Sequence, residues 1–136
     1  MTRNQLARII EEEGLHEIDI TPEFVYHWWI DLSVALFDCM LLPPCKLKLY
    51  RRGEYLGWYQ HQVFGRKYKH IVGLHQVELE TSLELFVNVL AHEMVHMHQA
   101  IYRPDDCAVH GKYFYSFVGV FQQAGLTLKR TYTPDD

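Results

Sequence analysis

Residues 81–102 read Thr81-Ser82-Leu83-Glu84-Leu85-Phe86-Val87-Asn88-Val89-Leu90-Ala91-His92-Glu93-Met94-Val95-His96-Met97-His98-Gln99-Ala100-Ile101-Tyr102. From Leu85 to Tyr102 there is neither Gly nor Pro. Thr81-Ser82-Leu83-Glu84 has capping-box spacing, so the stretch predicts one long helix. Apolar side chains at Leu83, Leu85, Phe86, Val87, Val89, Leu90 and Ala91 occupy nearly every face of its first half. A helix that is apolar all round is a buried one, which makes this the central element of the fold. Arg103-Pro104-Asp105-Asp106 breaks it. Into this rod the sequence inserts His92-Glu93-Met94-Val95-His96. At about 3.6 residues per turn, His92 and His96 stand one turn apart on one face, and Glu93 sits roughly 100° round the axis. Two histidines and a carboxylate buried without partners would cost several kcal/mol. Zinc hydrolysis is a chemistry that repays such a placement; histidines bonded to backbone or water on a partly wet face are the alternative. The imidazoles hold the ion, the ion lowers the pKa of a bound water toward about 7, and Glu93 serves as general base.

A hydrolytic zinc ion takes three protein ligands and keeps one position open. No Glu follows Glu93, and the positions three and six after His96 are Gln99 and Tyr102. Two common ways of supplying the third ligand are therefore missing. His98 points roughly 120–160° away from either member of the pair, so it cannot join them on an intact helix. Asp105, Asp106, Cys107 and His110 remain. His110 follows a Pro-containing turn, a placement that lets it fold back onto the first two, and Cys107 is a candidate fourth ligand.

Working outward, Thr2 to Glu13 carries Leu6, Ile9 and Ile10 between charges, a short amphipathic helix that Gly14 ends. Thr21-Pro22-Glu23 supplies an N-cap, a Pro in the first turn and an acid, opening a helix to about Met40 that Pro43-Pro44 closes. Between Lys46 and His75 the pattern alternates: Lys46–Tyr50, Tyr55–Gln60 and Tyr68–Leu74 read as three short antiparallel strands, with turn signals at Arg52-Gly53 and Phe64-Gly65. A final helix runs from about His110 through Phe114, Phe117, Val118 and Phe121 to Gly125, and residues 131–136 read as a frayed tail.

With 136 residues, 49% of them hydrophobic, the chain has material for one domain and one core, and disorder is excluded. The net charge of −4 excludes a generic polyanion binder. Positive charge is concentrated instead. Residues 46–69 hold seven of the thirteen basic residues (Lys46, Lys48, Arg51, Arg52, Arg66, Lys67, Lys69) and one acid, Glu54. This segment is a candidate for contact with DNA phosphates, with Trp58, Tyr59 and Tyr68 as candidate stacking surfaces, although solvated lysines protecting a strand edge give the same pattern. Three cysteines without a Cys-x-x-Cys pair read as reduced thiols, and no apolar run reaches the roughly 18 residues of a membrane span. The expectation is a soluble cytoplasmic protein with no membrane partner.

Together, His92-Glu93-Met94-Val95-His96, an intervening polar loop and His110-Gly111-Lys112-Tyr113-Phe114 resemble the SprT-like metallopeptidases, which pair HExxH with a later H-G-x-x-F. The likeness extends over roughly residues 20–125. It implies an α+β fold with a minigluzincin-like core, in which a small, mainly antiparallel three-stranded sheet packs on the HExxH helix with flanking helices. It further implies one zinc ion held by His92, His96 and His110, Glu93 as the catalytic base, and protein or peptide substrates, some of them associated with DNA. Residue 109 is Val where many relatives have Gly, and the Cys-paired zinc ribbon of longer relatives has no counterpart. The alternative reading is a non-catalytic module, stabilised by zinc, that binds a protein or nucleic-acid partner.

Lesser expectations attach to neighbouring residues. His98, Gln99, Asp105 and Asp106 are candidates to orient the ligand rings, and Tyr113 and Tyr115 to face an oxyanion. His61, His70 and His75 are expected on the sheet without metal.

Overall fold

The structure is a computed structural model that describes residues 1–39, 41, 43–44, 46–64 and 67–132. Met40 at the expected helix end, Cys45, the Gly65 turn signal, Arg66 of the basic segment and residues 133–136 of the tail lie outside the described residues, as do the side chains of Lys67 and Tyr68.

Helix α1 (Arg3–Glu13) is fixed at its start by a reciprocal cap. The Gln5 N–H donates to the Thr2 hydroxyl at 3.1 Å, and the Thr2 N–H donates to the Gln5 side chain at 2.8 Å. It buries Leu6 and Ile10. Helix α2 (Pro22–Phe37) begins as the sequence predicts, with the Phe24 N–H donating to Thr21 Oγ1 at 3.1 Å. It ends at Asp38, whose left-handed backbone (φ 54) terminates the helix ahead of the two prolines.

The sheet differs from the expectation in direction. Strands β2 (Gly57–Phe64) and β3 (Lys67–His75) form the antiparallel hairpin, from Gly57 opposite Leu74 to Phe64 opposite Lys67. Strand β1 (Lys46–Tyr50), however, runs parallel to β3, with Lys46 opposite Ile71 and Tyr50 opposite His75. The order is β1-β3-β2. Because β3 returns into the slot between the two earlier strands, β1 and β2 never pair. Alternation reports which residues share a face and carries no information about which neighbour a strand takes.

A one-turn helix, α3 (Gln76–Leu79), follows at once, capped by the His75 ring, which accepts the Glu78 N–H at Nδ1. Helix α4 (Leu83–Tyr102) is the expected central rod. Its N-cap is Ser82, one residue later than the capping-box reading, while Thr81 turns its hydroxyl to the Glu78 carbonyl. The single last helix is divided into α5 (Lys112–Tyr115) and α6 (Val118–Gln123). At the break, the Ser116 hydroxyl bonds the Tyr113 carbonyl, and the Phe117 N–H reaches back only three residues, to Phe114. A serine that competes for helix carbonyls is a physical reason for such an interruption.

Helix α4 lies at the centre of one hydrophobic cluster. Leu6 and Ile10 of α1, Trp29, Leu32 and Leu36 of α2, Val72 and Leu74 of β3, and Phe114 and Phe121 of α5 and α6 join Phe86, Val87, Leu90 and Met94 of α4. Each such side chain, once fully buried, contributes about 1.5–3 kcal/mol. Among the described residues no helix is long and apolar enough to cross a membrane.

Candidate metal centre

The spacing on α4 brings His92 Nε2 and His96 Nε2 to 3.0 Å, with the rings edge-on at 4.7 Å. His110, from the turn before α5, sets its ring 5.5 Å from that of His92 and 4.9 Å from that of His96. One ligand atom from each of the three lies within 4.8 Å of the others. Nitrogens bound tetrahedrally to zinc at about 2.0–2.1 Å stand roughly 3.3 Å apart, so the cluster is suited to one ion. Two of its ring nitrogens, His92 Nδ1 and His110 Nε2, are buried without a hydrogen-bond partner. A buried His110 nitrogen without a partner, beside a His92–His96 pair whose Nε2 atoms face each other, fits a cation held between the three rings, while His92 Nδ1 lies on the far side of its ring.

The electrostatics point the same way. Burial, followed by the neighbouring rings of His96 and His110, pushes His92 down to about 3. Burial and then His110 push His96 down to about 4. His110 is also lowered, by burial first and then by the Arg130 cation. Neutral imidazole is the form that binds a metal. Beside the rings, burial raises the Glu93 carboxyl to about 8. Gly57 makes this closeness possible. A Cβ there would stand 2.7 Å from Val89 Cγ1 and 3.3 Å from Glu93 Oε2, so only glycine lets β2 lie this near α4.

Phe114 joins the separate ligands. Fully buried, it stacks on the His96 ring at 5.0 Å and meets His92 and His110 edge-on at 5.0 and 4.9 Å. Gln99 fixes the loop that carries His110: its side-chain amide donates to the Ala108 carbonyl at 3.0 Å. Asp106 Oδ1 accepts the Ala108 N–H at 2.9 Å. These two residues therefore hold the loop and leave the ligand rings alone.

Other expectations are corrected by position. His98 faces away from the triad, bonded to the Tyr113 hydroxyl at 2.7 Å and stacked on Phe37. That bond also occupies Tyr113, and Tyr115 is exposed. The exposed Cys107 thiol is directed at the Asp105 carbonyl and stands outside the three-histidine group. On the sheet, His61 lies opposite His70, whose Nδ1 shares a 2.6 Å hydrogen bond with the Tyr59 hydroxyl.

A contributor that sequence reasoning missed is Tyr132, in the segment read as frayed. Its ring stands edge-on to His92 at 5.4 Å, and it lines the cleft along with Arg130. An aromatic residue in a polar tail was the available signal. The cleft, about 860 Å³, runs between β2, through Gly57, Tyr59 and His61, and the metal-facing side of α4.

A His92–His96 pair on one buried helix, a third histidine returning from a loop and an adjacent glutamate form the HExxH-plus-downstream-histidine arrangement of zinc proteases. It is the site that the resemblance to SprT-like metallopeptidases implied. No family model matches the chain, and no curated protein or solved structure shows significant similarity to it.

Proposed function

We propose that the chain is a zinc-dependent endopeptidase. The observation that carries this reading is the convergence of His92, His96 and His110 beside a buried glutamate within an open cleft. Among the described residues three ligands converge, which leaves tetrahedral zinc one position for chemistry and favours a catalyst over a closed structural site. When bound, zinc would polarise the scissile carbonyl and acidify a water molecule. Glu93 takes the proton of the attacking water on a carboxylate oxygen and delivers it to the leaving amine. Burial holds this carboxyl above the ordinary carboxylate range in the metal-free chain, and the charge of a bound zinc ion beside it would favour the carboxylate that accepts the proton. Strand β2 is the outer strand of the sheet on the cleft side, and its edge supports binding of an extended peptide by strand addition.

The substrate class we propose is protein or peptide. Exposed Lys46, Lys48, Arg51 and Arg52 around β1 support proteins associated with nucleic acid as a subset. Free thiols at Cys39 and Cys107 fit a cytoplasmic setting.

Glu93→Gln tests the mechanism. The variant is expected to keep one zinc per chain by elemental analysis and to lose about 10²–10⁴ in the rate of casein cleavage. Cleavage at the wild-type rate by zinc-loaded Glu93→Gln would refute the role of Glu93.

A further inference from the structure

Residues 126–132 cross back over α4 after α6 ends at Ala124 and Gly125 turns the chain with φ 78. Two anchors hold the crossing at its start. Leu126 is buried in the core, and the Thr127 N–H donates to Asn88 Oδ1 at 2.9 Å. Asn88 is itself fixed on α4 through the Glu84 carbonyl at 2.8 Å. At the other end the Tyr132 hydroxyl closes the segment on itself, donating to the Thr127 carbonyl at 2.6 Å and accepting the Lys129 N–H at 3.1 Å. One phenol thus ties two backbone positions together while its ring lies against His92. The Lys129 backbone also reaches the His92 ring, whose Nε2 faces His96.

We propose that Tyr132 is a positioning residue for the metal centre. By clasping Thr127 and Lys129 it holds segment 126–132 against α4 and fixes the plane of the His92 ring. A ligand histidine is oriented by whatever faces its second nitrogen, and a ring free to rotate gives up affinity for the ion. The hydroxyl matters more than the ring in this arrangement, because both backbone bonds end on that oxygen. The proposal rests on the zinc reading above and extends it to a residue that holds no metal itself.

Tyr132→Phe keeps the ring and removes both hydrogen bonds, whereas Tyr132→Leu removes the ring as well. Zinc affinity is measured by competition with a chromophoric chelator, and ligand geometry by the visible spectrum of the cobalt-substituted protein. Tyr132→Phe is expected to remain folded by circular dichroism, to bind zinc about tenfold more weakly and to show an altered cobalt band. Thr21→Ala, a cap remote from the site, provides the control for general destabilisation and should move neither measurement. A Tyr132→Phe affinity within about twofold of wild type, with an unchanged cobalt spectrum, overturns the clasp even if Tyr132→Leu binds poorly or fails to fold. A wild-type chain that takes up no zinc overturns the zinc reading as well, so the two failures are distinguished by the wild-type titration.

Discussion

His92 and His96 stand on α4, where the hydrogen bonds of a buried helix set their spacing, whereas His110 stands in a loop whose residues 103–109 are all exposed. The first pair needs only an intact helix to be correctly placed. The third ligand depends on a few side chains that reach across: Gln99 to Ala108, Asp106 to Ala108, and Phe114 beneath all three rings. Geometry that is local in sequence is maintained by the backbone, while geometry that is distant in sequence is maintained contact by contact. Those contacts are where the centre can be taken apart without unfolding α4.

Phe114→Ala should have the largest effect, since Phe114 is the shared floor of both halves. Emptying a fully buried phenylalanine site costs about 3–5 kcal/mol. We expect a large drop in the urea midpoint together with loss of zinc binding; a stable variant that still binds zinc would show that the rings are held by something else.

Next comes the pH dependence of the metal-free protein, in which the two kinds of buried group act with opposite sign. His92 at about 3 and His96 at about 4 titrate below the ordinary 6.5 when folded. The unfolded chain therefore takes up protons first on acidification. Their contribution is complete above about pH 6.5 and is lost as the pH falls toward 4, on the order of a few kcal/mol. Glu93 behaves in reverse. Raised from 4.5 to about 8, it keeps its proton in the folded state and costs stability as the pH rises between those values. Urea midpoints from pH 4 to 9 should therefore decline at both ends, and Glu93→Gln should remove the alkaline decline alone.

Gln99→Ala isolates the loop. Losing the amide that holds the Ala108 carbonyl should cost about 1–2 kcal/mol and weaken zinc binding while the helicity of α4 is retained. Equal zinc affinity in this variant would mean that the loop is fixed without Gln99. The smallest effect is expected far from either half. Thr21→Ala removes the α2 cap for about 1 kcal/mol in thermal or urea unfolding and leaves zinc affinity where it was.

Much of this molecule was legible in its residues because the signals were local. Thr2 and Thr21 start helices with their own hydroxyls, and the Pro-free run ahead of Arg103 is one helix. His98 was correctly excluded from the ligand set by helical angle alone, and it faces Tyr113 and Phe37. What escaped had no local mark. The parallel placement of β1 depends on β3 inserting between two earlier strands, the division of the last helix on how Ser116 spends its hydroxyl, and the use of Tyr132 on a chain return over α4.

The sequence by itself determined the central helix, the facing of His92 and His96 and the candidacy of His110, because helical periodicity and a chain-breaking turn are properties of neighbouring residues. Tertiary structure alone decided that His110 meets the pair, that Gly57 admits β2 beside Glu93 and that Tyr132 lies on His92. Each of these joins residues between 14 and 40 positions apart. Such contacts exist only once the core has closed and the entropy of bringing distant segments together has been offset by burial.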